Sequence, residues 1–289
     1  MKRVDISIFS ILQWAAVTVF IGRSYQHLFW DGPYREIFWD PFYMQWFIES
    51  FTSLGWDDYV THPMGDVWFQ RFVFFQGIFY LVCAIISVFI RHLPKWCRVF
   101  LLIGAVDLIF LALIYMKDRF YHFGQFFEYS LQFGAPLFLY AYLKNDKIPN
   151  RLVLWMKIAV ALTFTCHGLY AFGYYPRPGS FMTMTQNILG LEALGIHYFL
   201  LIAGVLDFIF AAGIFIARKK VLHALLWYGV LWGALTAFAR IFGNFYWDFP
   251  LESLHQWVFE CVYRFPHFLI PLALILILRK KQLTTNCTD

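Results

Sequence analysis

The chain alternates long apolar runs with short polar links. About 20 predominantly apolar residues, rising 1.5 Å each, cross a bilayer core as a helix. On that measure the pattern predicts eight spans, at 6–23, 69–90, 98–116, 123–143, 153–172, 196–217, 221–242 and 257–278. Six or seven spans is the alternative, with 98–116 or 153–172 as a buried or re-entrant segment. The expected class is all-α, a polytopic transmembrane helical bundle. The first run, "MKRVDISIFSILQWAAVTVFIG", is followed by "RSYQHLFW" with no small-residue cleavage site, so it reads as an uncleaved span.

Composition agrees. The 289 residues are 61% hydrophobic, 22% aromatic and 14% charged, against about 25% charged in a soluble domain. The net charge of +5 sits mostly in links, not in any nucleic-acid motif. In an eight-span arrangement 15 of the 23 Lys and Arg share one side, in 2–3, 91–98, 144–157, 218–220 and 279–281. The other side holds most acids: Asp31, Glu36, Asp40, Glu49, Asp57, Asp58, Asp66, Glu192, Asp248 and Glu252. The positive-inside rule then places both termini in the cytoplasm, in what is expected to be a bacterial plasma (inner) membrane. Residues 282–289 would be a cytoplasmic tail. The five cysteines form no C-x-x-C and read as small apolar side chains.

The outer link 24–68 is long. Phe42, Trp46, Phe47, Ile48 and Phe51 give it an apolar side. The expectation is a short helix at the outer membrane interface, with a lid folded over the bundle as the alternative.

Two stretches resemble each other. Offsetting 126–143 by 132 residues aligns Phe127, Glu128, Phe133, Leu137 and Ala141 with Phe259, Glu260, Phe265, Leu269 and Ala273. The coincident glutamates carry the most weight. The order of features also repeats: an apolar run leads through Arg23 or His167 into an aromatic segment, then Gly, Pro and Arg. The chain therefore reads as two four-span units, 1–145 and 150–281. Four is even, so the repeats would be parallel, related by an axis along the membrane normal.

Each unit resembles the DoxX family and its DoxX-like relatives. The likeness rests on a first span ending in Arg23 or His167, an outer link with Gly32–Pro33 or Pro176–Gly179, and a tight three-span remainder. It implies a small membrane bundle, in some members tied to sulfur or quinone redox chemistry. The usual pattern is one unit, where this chain has two.

Charges inside hydrocarbon cost about 2.5–3.5 kcal/mol each on insertion scales, so they face the interior and find partners. Glu260 and Arg264, four apart, can pair on one helical face. Pro266 and Pro271 follow and should kink that helix. The pair reads either as a polar site in an outward-opening cavity or as a structural ion pair. Glu128 has only Gln132 at the same spacing; Lys117, Arg119 and His122 lie close to the preceding outer turn, and Arg23 is also a candidate partner by depth. Asp107 and Asp207 fall near midplane, as proton-carrying or simply hydrogen-bonded carboxyls. Histidines 27, 62, 122, 167, 197 and 255 fall on the outer side, where capping of outer turns accounts for them. There is no metal motif and no nucleotide-binding loop.

The functional expectation is a module that binds a hydrophobic or amphipathic molecule, a quinone or a lipid, in an outward-facing cavity. The binding candidates are Arg23, Glu128, Gln132, His167, Glu260 and Arg264; the proton-relay candidates are Asp107 and Asp207. No residue set assigns a catalytic role. A redox partner protein would supply any cofactor if the DoxX-like resemblance extends to function. A proton-coupled carrier and a structural or assembly subunit are the alternatives.

Overall fold

A computed structural model describes residues 6–145 and 148–286, without the side chains of Ile6 and of 282–286. Residues 287–289, and with them Cys287 and the end of the expected tail, lie outside the described part. The described chain is an all-α bundle. Seven of its helices are long and apolar enough to cross a membrane.

The first half contains α1 (Ile6–Phe29), α2 (Arg35–Phe38), α3 (Pro41–Phe51), α4 (Trp56–Val60), α5 (Gly65–Phe89), α6 (Val99–Asp118), α7 (Phe123–Glu128) and α8 (Ser130–Lys144). The second contains α9 (Asn150–Phe172), α10 (Gly179–Leu189), α11 (Ala193–Ile216), α12 (Lys219–Phe242), α13 (Pro250–Val262) and α14 (Pro266–Asn286). The expected fourth span, 123–143, is two helices rather than one. The backbone of Tyr129 (φ −83°, ψ 2°) separates α7 from α8. The α7 end meets Tyr175, in the link between α9 and α10, through a 3.4 Å bond from the Gly124 amide. The α8 end meets Arg98, which donates to the Leu143 carbonyl at 3.0 Å. Together the two helices run from one face of the bundle to the other.

The break between α13 and α14 has a sequence cause. Pro266 opens α14, where its missing N–H costs nothing, and its ring disfavours helical geometry at the residue before it. Pro271 lies inside α14 and cannot donate to the carbonyl four residues back, that of His267. Pro136 inside α8 does the same to Gln132. Each of these breaks or openings lies beside a buried polar side chain.

α1 packs along α5, and α9 along α11; α1 also meets α13 and α14, while α9 meets α7 and α8. One apolar core runs through both halves, from Leu12 and Phe20 to Phe164, Phe210 and Ile270. Close approach of backbones fixes the α13–α14 break. A Cβ on Gly22 would sit 2.7 Å from the Tyr263 nitrogen, and one on Gly233 would sit 2.6 Å from the His267 carbonyl oxygen. Only glycine admits such contacts, which helices in lipid use to pack tightly.

The two faces differ in charge. On one, Arg91 lies 3.7 Å from the Phe9 ring centroid, Lys157 donates to the Ile214 carbonyl at 2.8 Å, and Lys281 donates to Asn150 at 2.6 Å. On the other, the acids of the 24–68 link hold Lys117, 2.8 Å from Asp40 and 3.4 Å from Glu36. That contact keeps the Asp40 carboxyl below its ordinary value.

The short helix expected in 24–68 is α3. Asp40 caps it by accepting from the Phe42 amide, and Pro41 occupies its first turn. Phe42 is 85% and Trp46 72% exposed, while Ile48 is buried. The link sits on its own small cluster, where Tyr34 packs with Phe69, Val73, Leu111 and Ile114. The link also reaches the second half, where Trp30 Nε1 donates to the His255 carbonyl of α13 at 3.1 Å.

Candidate functional site

Arg23 is 0% exposed, about nine ångströms before the C-terminal end of α1 by the helical rise. It finds no carboxylate. Its Nη1 donates to Gln26 at 2.7 Å and its Nη2 to Gln132 at 2.6 Å. Its guanidinium faces the rings of Tyr263, Tyr129 and Tyr115 at 4.0, 5.1 and 5.4 Å. Aromatic faces and amide oxygens thus replace a counter-ion. His27 Nδ1 lies 2.6 Å from the Arg23 carbonyl, so it is the donor; Nε2 is left to accept from the Tyr34 hydroxyl at 3.0 Å. Burial raises the Tyr34 hydroxyl above its ordinary value, in keeping with that donor role.

Arg23, one of the candidate partners of Glu128, does not pair with it. The break at Tyr129 turns Glu128 and Gln132 to different neighbours. Gln132 goes to Arg23, whereas Glu128 receives His167 Nε2 of α9 at 3.0 Å and Gln125 at 3.4 Å. The Glu128 and His167 side chains are 12% and 10% exposed.

The second glutamate behaves as its spacing predicts, with an addition. Arg264 Nη1 donates to the Glu260 carbonyl at 3.1 Å and to its Oε2 at 3.3 Å. The same Oε2 lies 3.5 Å from Nη1 of Arg240. Two buried guanidiniums therefore share one carboxylate oxygen. Nε of each, fully enclosed, has no partner.

Two ring contacts join these groups. Tyr263 lies between Arg23 and Arg264, with centroid distances of 4.0 and 4.9 Å. His167 stacks on His267, centroids 5.4 Å apart and planes 18° apart. His267 Nδ1 lies 2.8 Å from the Arg264 carbonyl, and its Nε2 is buried without a partner. All six expected binding residues thus belong to one network, set where the broken helices end.

The two aspartates stand apart from each other. Asp107 accepts from Gln76 of α5 at 3.2 Å, and Asp207 from the Tyr228 hydroxyl of α12 at 3.1 Å. Each is held within its own half.

A cavity of about 530 Å³ opens beside the second half of this network. Its walls are apolar, among them Phe181, Met184, Phe199, Trp232, Leu235 and Phe238. His167, Asp207, Arg240 and Arg264 also line it. Arg240 lies two residues before the end of α12, whereas Asp207 is fourteen residues, ~21 Å, along α11 from Ala193. The cavity thus extends from the acidic-link face toward mid-bundle. Leu235, in the cavity wall, is 63% exposed, so the cavity reaches the side surface of the bundle. A second concavity, between Arg35, Glu36, Asp40 and Lys117, is polar; Lys117 pairs with Glu36 and Asp40, and Arg35 with Asp31 and Asp66.

The structure adds to and corrects the sequence expectations. Helix α10 lines the cavity, and no residue of the 24–68 link does. His27 and His167 are enclosed members of the network rather than caps of outer turns. Arg240, His267 and Tyr263 belong to the site and were not singled out. Arg240 had a signal: it is an arginine within a predicted span, at the end away from the basic links. Tyr263 had none, because one more aromatic is invisible in a chain that is 22% aromatic. Among the described residues no group of three or more His, Cys, Asp and Glu is placed to hold a metal ion. No family model, curated protein or solved structure matches this chain.

Proposed function

We propose that this chain is an integral membrane protein that takes an amphipathic molecule, a quinone or a lipid, from the bilayer into the cavity between α9, α10, α11 and α12. The observation that carries this reading is the cavity's polarity: apolar walls with an edge on the side surface of the bundle, ending on the two arginines that share Glu260. Ligand sites usually combine apolar walls with a few placed polar groups, and 530 Å³ lies within their usual range of roughly 300–1,000 Å³. The ligand's head would lie at Arg240, Arg264 and His167, and its body along Trp232, Phe199 and Leu235.

On this reading the chain is two parallel four-span units, with α7 and α8 together making an eighth crossing and the basic face in the cytoplasm of a bacterial plasma membrane. The packing of each unit's first helix against the other's fourth supports it. The DoxX-like resemblance adds a redox role, with a partner protein supplying the cofactor. The proton-carrier alternative has less support, since Asp107 and Asp207 bond within separate halves.

The test is purification in mild detergent, followed by extraction and mass spectrometry of what stays bound. A stoichiometric quinone or lipid is expected in the wild type and should be lost from Ala203→Phe, which fills the cavity. A wild type that carries no amphiphile, or a variant that keeps it, refutes the reading.

A further inference from the structure

The arginine pair offers more donors than the protein uses. A guanidinium carries five N–H groups. Arg240 has one contact with an acceptor, at 3.5 Å, and Arg264 uses only its Nη1. Both side chains are more than nine-tenths buried, both line the cavity, and both leave Nε without a partner. Buried donors without acceptors are costly. Glu260 supplies one oxygen to two cations, while the nearby Glu128 carboxylate is held by His167 and Gln125. Arg23, on the far side of Tyr263, is a third buried cation, satisfied by amides and rings. Each Nε is enclosed, but Nη2 of each arginine makes no bond to the described residues, so the cavity end carries guanidinium Nη donors that an acceptor with negative charge would complete. An oxyanion has several acceptor oxygens and can bridge the Nη groups of two such guanidiniums through charge-assisted bonds.

We propose that Arg240 and Arg264 form an oxyanion clamp, so that the amphiphile this cavity takes is an acidic one, bearing a carboxylate or phosphate head. This rests on the amphiphile-binding reading and narrows it. A neutral quinone or alcohol of equal length would fill the apolar walls but leave the clamp incomplete. Glu260 is the internal competitor for the same donors.

Trp232 provides the readout, because it lines the cavity. Quenching of its fluorescence by a bromoalkyl carboxylate, phosphate and alcohol of one chain length is measured in detergent at alkaline pH. The signal of Trp232→Phe is subtracted to remove the other eleven of the 12 tryptophans. The carboxylate or the phosphate should bind at least about tenfold tighter than the alcohol, as expected for charge-assisted bonds. Arg240→Gln should erase most of that preference, and Glu260→Gln should strengthen acid binding by releasing the clamp. Arg240→Lys, which keeps the charge, controls for folding and should retain part of the preference.

A preference for the carboxylate alone identifies a fatty-acid head, and one for the phosphate alone a phospholipid-type head. Equal quenching by acid and alcohol overturns the clamp while leaving amphiphile binding intact. So does an acid preference that survives Arg240→Gln, or weaker acid binding in a folded Glu260→Gln. Absence of quenching by all three probes removes the amphiphile reading itself.

Discussion

Gly233→Ala should loosen the site without removing any of its polar side chains. The added Cβ would lie 2.6 Å from the His267 carbonyl oxygen and 2.7 Å from its carbon, where ordinary contact begins at 3.4 Å. Both atoms are backbone, so no rotamer change relieves the clash. α12 and α14 must separate locally by about 0.8 Å, the gap between 2.6 and 3.4 Å. A gap of that size forfeits roughly a quarter to a half of each dispersion contact across the seam. The expected cost is that of overpacking, about 1–3 kcal/mol. The same movement would carry Arg240, seven residues on along α12, away from Glu260, a contact already 3.5 Å long. Thermal unfolding in detergent measures the stability change. Gly179→Ala is the matched control, because a Cβ there meets nothing within 4 Å. Gly233→Ala should unfold at a clearly lower temperature than wild type, and Gly179→Ala should not. Equal unfolding temperatures for Gly233→Ala and wild type would refute the claim that backbone contact sets the α12–α14 distance.

Arg23→Met should destabilise by about 1–3 kcal/mol for each of the two amide oxygens, on Gln26 and Gln132, left without its donor. Adding Gln132→Leu should restore part of that loss in the same unfolding assay, because an apolar pair of similar shape leaves no oxygen unsatisfied. Acid should release the 24–68 link from α6: Asp40, held below its ordinary value by Lys117, stabilises that contact above the ordinary aspartate range and loses it as pH falls through its depressed value. Hydrogen exchange in residues 34–52 should therefore quicken in strong acid but not between neutral pH and mild acid, and Asp40→Asn should remove the dependence.

Long apolar runs determined the helical class and most helix positions, because burying polar backbone in lipid leaves a chain with that composition few other choices. The position of Pro266 marked the α13–α14 break, since proline cannot continue a helix without loss. The spacing of Glu260 and Arg264 marked their pairing, because four residues along one helix share a face. What lay between helices was not legible in the same way. The break at Tyr129 has no proline beside it, and it sends Glu128 to His167 and Gln132 to Arg23 although the two are one turn apart in sequence. Arg240 reaches Glu260 only because glycine lets α12 close on α14. Tyr263 separates two arginines because the chain turns there between α13 and α14. Local spacing decides which side chains share a helical face. Which faces meet, and how closely, depends on backbone contacts between residues far apart in the chain, and these the tertiary structure alone decided.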